Sequence, residues 1–309
     1  MTGRRSNVRS SMVSSFVTAA VAAAAGIALT AQAAAPSKAA IDVANAGLKT
    51  PESMLHDEGA DVYLVSNING GPSDKDNNGF ISRVSPDGTV ASLKWIEGGQ
   101  KGVTLHAPKG MGVDGDTLYV SDIDCVRRFN RTSGAPAGET CVAGATFLND
   151  LAAGSDGTVY VTDTGIRFDA SGAKPTGTDA VYRIARGQAP VAIIKTADLQ
   201  RPNGIVSTAD GLLVVPFGGS EIFHIDAKGA QHVTVKLPAG QLDGLVRLAD
   251  GTLLISSWEG KVVYELRKGG QAKAIVQNVS SPADIGYDAR RQRLLVPVFT
   301  EDRLIIQPM

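Results

Sequence analysis

The chain has 309 residues, with 30 Lys and Arg against 31 Asp and Glu and a formal net charge of −1. That balance excludes a basic nucleic-acid face and a polybasic membrane patch. Two cysteines are too few for a disulfide framework to hold the fold together.

In chain order, the first 35 residues read as a cleavable export signal. Arg4, Arg5 and Arg9 precede an uncharged run from Ser10 to Thr30, and Ala31-Gln32-Ala33 offers a small-x-small cleavage site. The alternative is an uncleaved anchor, but the Ala and Ser content makes the run weakly hydrophobic and favours cleavage. Ser6, Asn7 and Val8 do not supply the apolar residues that a twin-arginine signal needs after Arg4-Arg5, so a Sec-type route is expected. The predicted product is a periplasmic or secreted monomer spanning 36–309 with no stable membrane association. Without the three leader arginines it has 30 − 3 = 27 basic against 31 acidic residues, a charge of −4. About 270 residues suffice for one large domain with a substantial core.

Beyond the leader, one strand pattern repeats. Asp61–Val65, Asp116–Val120, Gly157–Val161, Gly211–Val215, Gly251–Ile255 and Gln292–Val296 are six copies of it, each following a turn rich in Asp, Gly or Asn. Further strands follow, such as Phe80–Val84, Ala180–Ile184 and Val262–Leu266, and no amphipathic helix lies between them. A spacing of about 40 to 55 residues with about four strands per unit predicts an all-β, six-bladed β-propeller. The last unit is one strand short, and Ala39–Ala44 is the expected strand that completes its sheet and hides its edge.

Ahead of these strands, Glu52, Lys109, Asn149, Asn203, Asp243 and Asp284 recur at what reads as one equivalent point of the repeat. A circular array would bring all six to a common axis, where such groups can hold a hard metal ion. If the innermost strand of each blade starts on that face, Asn69–Asn78 and Gly165–Thr178 lie there too and are predicted to rim one pocket. The competing expectation for both is a surface loop without ligand contact.

Pro51-Glu52-Ser53, Leu148-Asn149-Asp150, Arg201-Pro202-Asn203-Gly204 and Leu242-Asp243-Gly244 resemble, in order, the metal-ligand motifs of the gluconolactonase/regucalcin (senescence marker protein) family. More distantly the chain resembles paraoxonases, and the likeness covers essentially everything after the leader. The resemblance implies one divalent metal, usually Ca2+ and in some members Zn2+, Mg2+ or Mn2+, at the top of the central channel. It also implies hydrolysis of a small-molecule lactone or related ester.

The residue chemistry agrees with that implication. The carboxylates of Glu52 and Asp243 and the side-chain carbonyls of Asn149 and Asn203 form an all-oxygen set suited to a hard cation. Taken singly, Asn-Gly and Asp-Gly are ordinary turn pairs. Lys109 stands where paraoxonase-like sequences carry histidine, so it is read either as balancing the acidic cluster or as hydrogen-bonding a developing oxyanion. Asp284 is read as a general base or as the ion-pair partner of Lys109. Asp243 completes the catalytic set, and Asp150 is expected to orient a neighbouring ligand.

Asp74–Gly79 opens like a helix-flanked calcium loop, but Ser85 stands at its twelfth position and strands surround it, so a polar turn is expected. His106 and Trp258 are candidate pocket residues, Trp258 having blade-to-blade packing as its alternative, and His56, His224 and His232 read as structural or surface histidines. No Gly-x-Ser-x-Gly elbow supports a serine triad. Cys125 and Cys141 flank a turn at Thr132–Ala135 and should face each other across adjacent outer strands, forming a disulfide in an oxidising compartment. A one-residue register slip would leave two reduced, buried thiols. The alternative to catalysis is an exported propeller that binds a small molecule or protein partner, because this fold does not imply an activity.

Overall fold

The computed structural model describes residues 39–309, so the leader lies outside the described residues. Six four-stranded antiparallel sheets are arranged as the blades of a propeller. Their innermost strands begin at Pro51, Pro108, Leu148, Pro202, Leu242 and, after the isolated Pro282 bridge, Gly286. The sixth sheet holds three strands from the C-terminus, and its outermost member Arg303–Pro308 pairs with Ile41–Val43, Ile41 lying opposite Ile306. Gly165–Thr178, expected as a loop, contains a two-stranded hairpin of Ile166–Asp169 and Gly172–Pro175. Its Phe-Asp/Gly-Ala run is too short and too polar to signal strands without its partner.

Alternation along each second strand explains the core. In the second strand of blade 1, Tyr63 and Val65 pack toward blade 6, whereas Leu64 packs toward blade 2. Period-two side chains therefore bury both faces of a blade, and six apolar clusters result, one between each neighbouring pair of blades. Outermost strands face water, as the exposed Pro136–Cys141 strand illustrates. Ion pairs fasten blades on the far face. Arg131 reaches from blade 2 to Asp57 of blade 1, and Arg291 of blade 6 holds Asp61 at 2.6 Å.

One irregularity builds the axis. In each of the first five blades the inner strand breaks register two residues after its first pair, between Pro51 and Met54, Pro108 and Met111, Leu148 and Leu151, Pro202 and Ile205, and Leu242 and Leu245. Such a bulge takes two residues out of the ladder and re-aims their side chains. Second-strand hydroxyls take up the freed backbone groups: Ser66 Oγ accepts from Ser53 N, Thr162 Oγ1 from Asp150 N, and Ser256 Oγ from Gly244 N. The first bulged residues are Glu52, Lys109, Asn149, Asn203 and Asp243. The second are Ser53, Gly110, Asp150, Gly204 and Gly244.

This register corrects one sequence expectation. In blade 6 Pro282 pairs with Val298 as Pro51 pairs with Asn67, so the residue equivalent to Glu52 is Ala283. Asp284 belongs with the second bulged residues, beside Ser53, to which it forms a parallel bridge. The offset was hidden because a strand pattern aligned on turns does not count the residues inside a bulge.

The glycines of Lys-Gly, Asn-Gly and Asp-Gly are not turn residues here. They lie inside inner strands, where neighbouring blades approach so closely that a Cβ at Gly110 would strike Asp150, one at Gly204 the backbone of Asp243, and one at Gly244 the backbone nitrogen of Ile285. Gly244→Ala should destabilise the protein by roughly 2 kcal/mol or more, because rigid backbone must move to admit the methyl. A urea unfolding midpoint equal to that of the parent would refute the close-approach account.

Cys125 and Cys141 lie directly opposite each other and form a disulfide clasping the two outer strands of blade 2. The bridge spans 16 residues of chain, and its removal by Cys125→Ser/Cys141→Ser is expected to cost about 3 kcal/mol at most. Unfolded, unreduced protein should titrate no free thiol, and two free thiols would contradict the bridge.

Candidate functional site

The five first bulged side chains converge on the propeller axis and are almost wholly buried, with Glu52 4%, Lys109 1%, Asn149 5%, Asn203 2% and Asp243 4% exposed. Their proximity shows in their charges. Burial pushes the Glu52 carboxyl well above its ordinary range, Asp243 and Asp284 push it further, and Lys109 opposes them. Burial likewise raises Asp243, helped by Asp284 and opposed by the Trp258 indole and the Asn203 amide. Asp150 is raised by burial and by Asp284, while burial raises Asp284 to about 7. Four carboxyl groups thus crowd the axis, with the Lys109 ammonium beside Glu52.

Hydrogen bonding sorts these residues. Glu52 Oε2, Asn149 Oδ1, Asn203 Oδ1 and Asp243 Oδ1 are all buried and without a hydrogen-bond partner. Buried polar atoms are nearly always paired, and four unpaired acceptors around one axis make an incomplete oxygen cage. These are the four residues that the sequence motifs single out as metal ligands. Asn149 is oriented by Thr164, whose hydroxyl accepts from Asn149 Nδ2 at 3.0 Å and donates to Pro202 O at 2.9 Å. That leaves Oδ1 free, and Thr164 therefore does the orienting expected of Asp150. The Asp150 carboxylate instead accepts from Leu151 N at 2.7 Å and Ile205 N at 2.8 Å, tying blade 3 to blade 4. The donor set fits a hard divalent cation by charge and by atom type. Glu139 with Cys125 and Cys141 also clusters tightly, but those sulfurs are joined as a disulfide and Glu139 is paired with Arg127.

Lys109 and Asp284 do not form an ion pair. Lys109 Nζ donates to Pro72 O at 3.0 Å and Ala107 O at 2.9 Å, and sits 4.2 Å from the centre of the Phe147 ring. Burial pulls its pKa down to about 8, against the opposing pull of Glu52 and Asp122. Asp284 accepts from Ser53 Oγ. The pairing failed because the bulge sends their side chains to different levels. Asp284, Asp150 and Ser53 are among the residues lining a cavity of about 810 Å³ that the four unpaired oxygens' residues do not line. Its wall includes Leu151 and Ile205, and His56 and Arg247 are among its other residues.

The two long connections meet, as Phe168 N donates to Ser73 Oγ at 3.2 Å. The first also reaches the axis through Pro72 and Lys109. His106 is committed to it, since Nδ1 accepts from Asn77 N at 3.0 Å. Asp74–Gly79 lies in an irregular connection between strands, with a bend at Asn77 and no flanking helix. Trp258 stands between Phe217 of blade 4 and Phe299 of blade 6, at ring separations of 5.4 and 5.2 Å. Sequence reasoning missed Thr164, Phe217 and Phe299. Their signal was positional: each follows directly on a second strand, as Trp258 does.

No family model matches the chain, and no curated protein matches it. Solved structures do. A structural-genomics target assigned as a gluconolactonase superposes with a TM-score of 0.66 at 19% identity, over 87% of this chain and 91% of the other. A gluconolactonase from Xanthomonas campestris gives 0.66 at 21%, over 88% and 90%. Virginiamycin B lyase from Staphylococcus aureus, solved as an inactive variant with quinupristin, gives 0.59 at 14%, over 88% and 98%. At these identities the likeness establishes a shared propeller fold.

Proposed function

We propose that this protein is an exported hydrolase of a lactone or related ester that works with one divalent metal ion, Ca2+ being the best match to its ligands. The observation that carries the proposal is the set of four unpaired, buried oxygens on Glu52, Asn149, Asn203 and Asp243, beside carboxylates that too few cations neutralise. The gluconolactonases among its structural neighbours support the substrate class. The Ala- and Ser-rich leader supports export to the periplasm or beyond, with 36–309 as the working propeller, closed by the Ile41–Val43 strand and acting as a monomer.

Bound there, such an ion supplies polarisation of a carbonyl oxygen and a lowered pKa for a water. The chain supplies the rest. Glu52 and Asp243 contribute two negative charges, and Thr164 fixes the Asn149 carbonyl toward the axis. We assign the second carboxylate oxygen of Asp243 to accept the proton of the attacking water. Water oxygen bonds to the lactone carbon, the ring C–O bond breaks, and the proton ends on the released alkoxide, giving a hydroxy acid. Lys109 anchors the rim connection at Pro72 and keeps positive charge beside Glu52. Asp284, one level deeper and bonded to Ser53, is assigned to the channel below and not to proton transfer.

A panel of lactones and aryl esters, run with the mature protein before and after chelation, tests the reading. Hydrolysis should vanish on chelation and return with added Ca2+. Turnover indifferent to chelator would overturn the metal, and metal binding without any turnover would favour the non-catalytic propeller.

A further inference from the structure

We propose that the ring taken by this site bears an apolar alkyl or aryl body and is not a polyhydroxylated sugar ring; this rests on the lactone reading above and goes beyond it in naming what the ring carries. The first residue after each second strand stands at the same place in every blade. The strand residue just before it pairs with the residue just before each first bulged position, as in Asn67 with Pro51 and Ser257 with Leu242, so this place lies on the face of the ligand set. Its occupants in chain order are Ile68, Ile123, Thr164, Phe217, Trp258 and Phe299. Five are apolar. The one hydroxyl, on Thr164, is spent between Asn149 and Pro202.

Three of these form a continuous half-buried arc, Phe217 edge-on to Trp258 and Trp258 tilted against Phe299. Phe299 packs in turn on the buried Ile68, Ala107 and Ile123, so the apolar band runs on past blade 6 into blades 1 and 2. Across the axis the Phe147 and Phe168 rings lie 5.9 Å apart, with Lys109 over the former. The arc adjoins the reacting centre, since Trp258 follows Ser257, the register partner of Leu242 next to Asp243, and Trp258 N donates to Gln241 O at 3.0 Å. Several rim polar groups are committed to one another or to the backbone: Asn77 holds Leu105 N and the Thr146, Thr176 and Thr178 hydroxyls bond one another.

A polyhydroxylated ring needs a partner for every hydroxyl it takes out of water, and this wall offers aromatic faces where those partners would have to be. An alkyl or aryl substituent makes the opposite demand. It gains by leaving water, and flat rings give it a wide contact area without lost side-chain freedom. A site built to reject an apolar body would carry unpaired polar groups on the arc, and of the three arc residues only Trp258, through its indole N–H, has one.

Two non-hydrolysable lactams, one alkyl-substituted and one polyhydroxylated, test the proposal by equilibrium binding to the full mature chain with Ca2+ present. Trp258 fluorescence reports occupancy, because the other tryptophan, Trp95, lies under the Arg83 guanidinium at 3.7 Å. The alkyl lactam should bind on the order of tenfold tighter or better. Phe299→Ala and Phe217→Ala should each erode that preference while leaving the polyhydroxylated lactam unchanged. Equal or tighter binding of the polyhydroxylated lactam, no binding of either, or an unchanged preference in both folded variants would overturn it. Alkyl-lactam binding with no turnover of the matching lactone would remove the hydrolase and leave the apolar specificity standing.

Discussion

Asp243→Asn should weaken divalent-metal binding by at least about 100-fold while making the metal-free protein more stable. The opposite signs follow from one cause. Losing a residue that merely orients a ligand commonly costs 10- to 100-fold in affinity, so losing the charge of a ligand itself should cost no less. In the metal-free state that same charge is a liability, being buried, raised well above its ordinary pKa by desolvation and by Asp284, and unpaired at Oδ1. The amide keeps the shape and removes the charge, so it relieves that crowding. Thermal melts of parent and variant, each with chelator and with saturating Ca2+, should cross: the variant melts higher with chelator and gains far less from the ion. A variant that is less stable under both conditions, or that takes up Ca2+ like the parent, would refute the ligand assignment.

Lys109→Met should cost about 3 kcal/mol of stability, and Asp284→Asn should not restore it. The substitution fills similar space but withdraws the donor from Pro72 O and Ala107 O and strips Glu52 of its nearest cation. Removing one partner from a buried charge contact leaves the other uncompensated, which is why the effect is large. Because Lys109 and Asp284 share no contact, their effects should add to within a few tenths of a kcal/mol. Glu52→Gln is the expected rescuer, since it removes the charge that Lys109 balances. Denaturant unfolding of the parent, the three single variants and the two double variants gives both coupling energies. A strong coupling to Asp284 with none to Glu52 would contradict the arrangement at the axis. The rim connection at 69–78 should also become more open to proteolysis in Lys109→Met, as its tether at Pro72 is gone.

The proposed ligand set was readable because each member sits in a short local motif whose neighbours repeat. Pro or Leu opens the strand, the polar residue follows, and four of the second bulged positions are small, being Ser53, Gly110, Gly204 and Gly244. The reason for those glycines was not readable. An Asn-Gly or Asp-Gly pair looks alike in a turn and inside a crowded strand, and only the approach of the next blade distinguishes them. Asp284 shows the same limit. Its motif, Pro282-Ala283-Asp284, imitates the others one residue out of step, and the pairing of Pro282 with Val298 puts it on a different level of the channel.

Sequence alone determined the number of repeats, the alternation that buries both faces of each second strand, and the residue types offered to the axis. Those depend on period, turn chemistry and composition within about ten residues, which a linear chain displays directly. Tertiary structure decided what each residue does there. Thr164 came to hold Asn149, Asp150 came to brace blade 4, Lys109 met carbonyls instead of Asp284, and Phe217, Trp258 and Phe299 joined into one wall. Many of these contacts join residues tens of positions apart, and those of Asn149, Asp150 and Lys109 depend on bulges that shift register by a single residue. In a strand, one residue is the difference between two faces, and no local pattern records it.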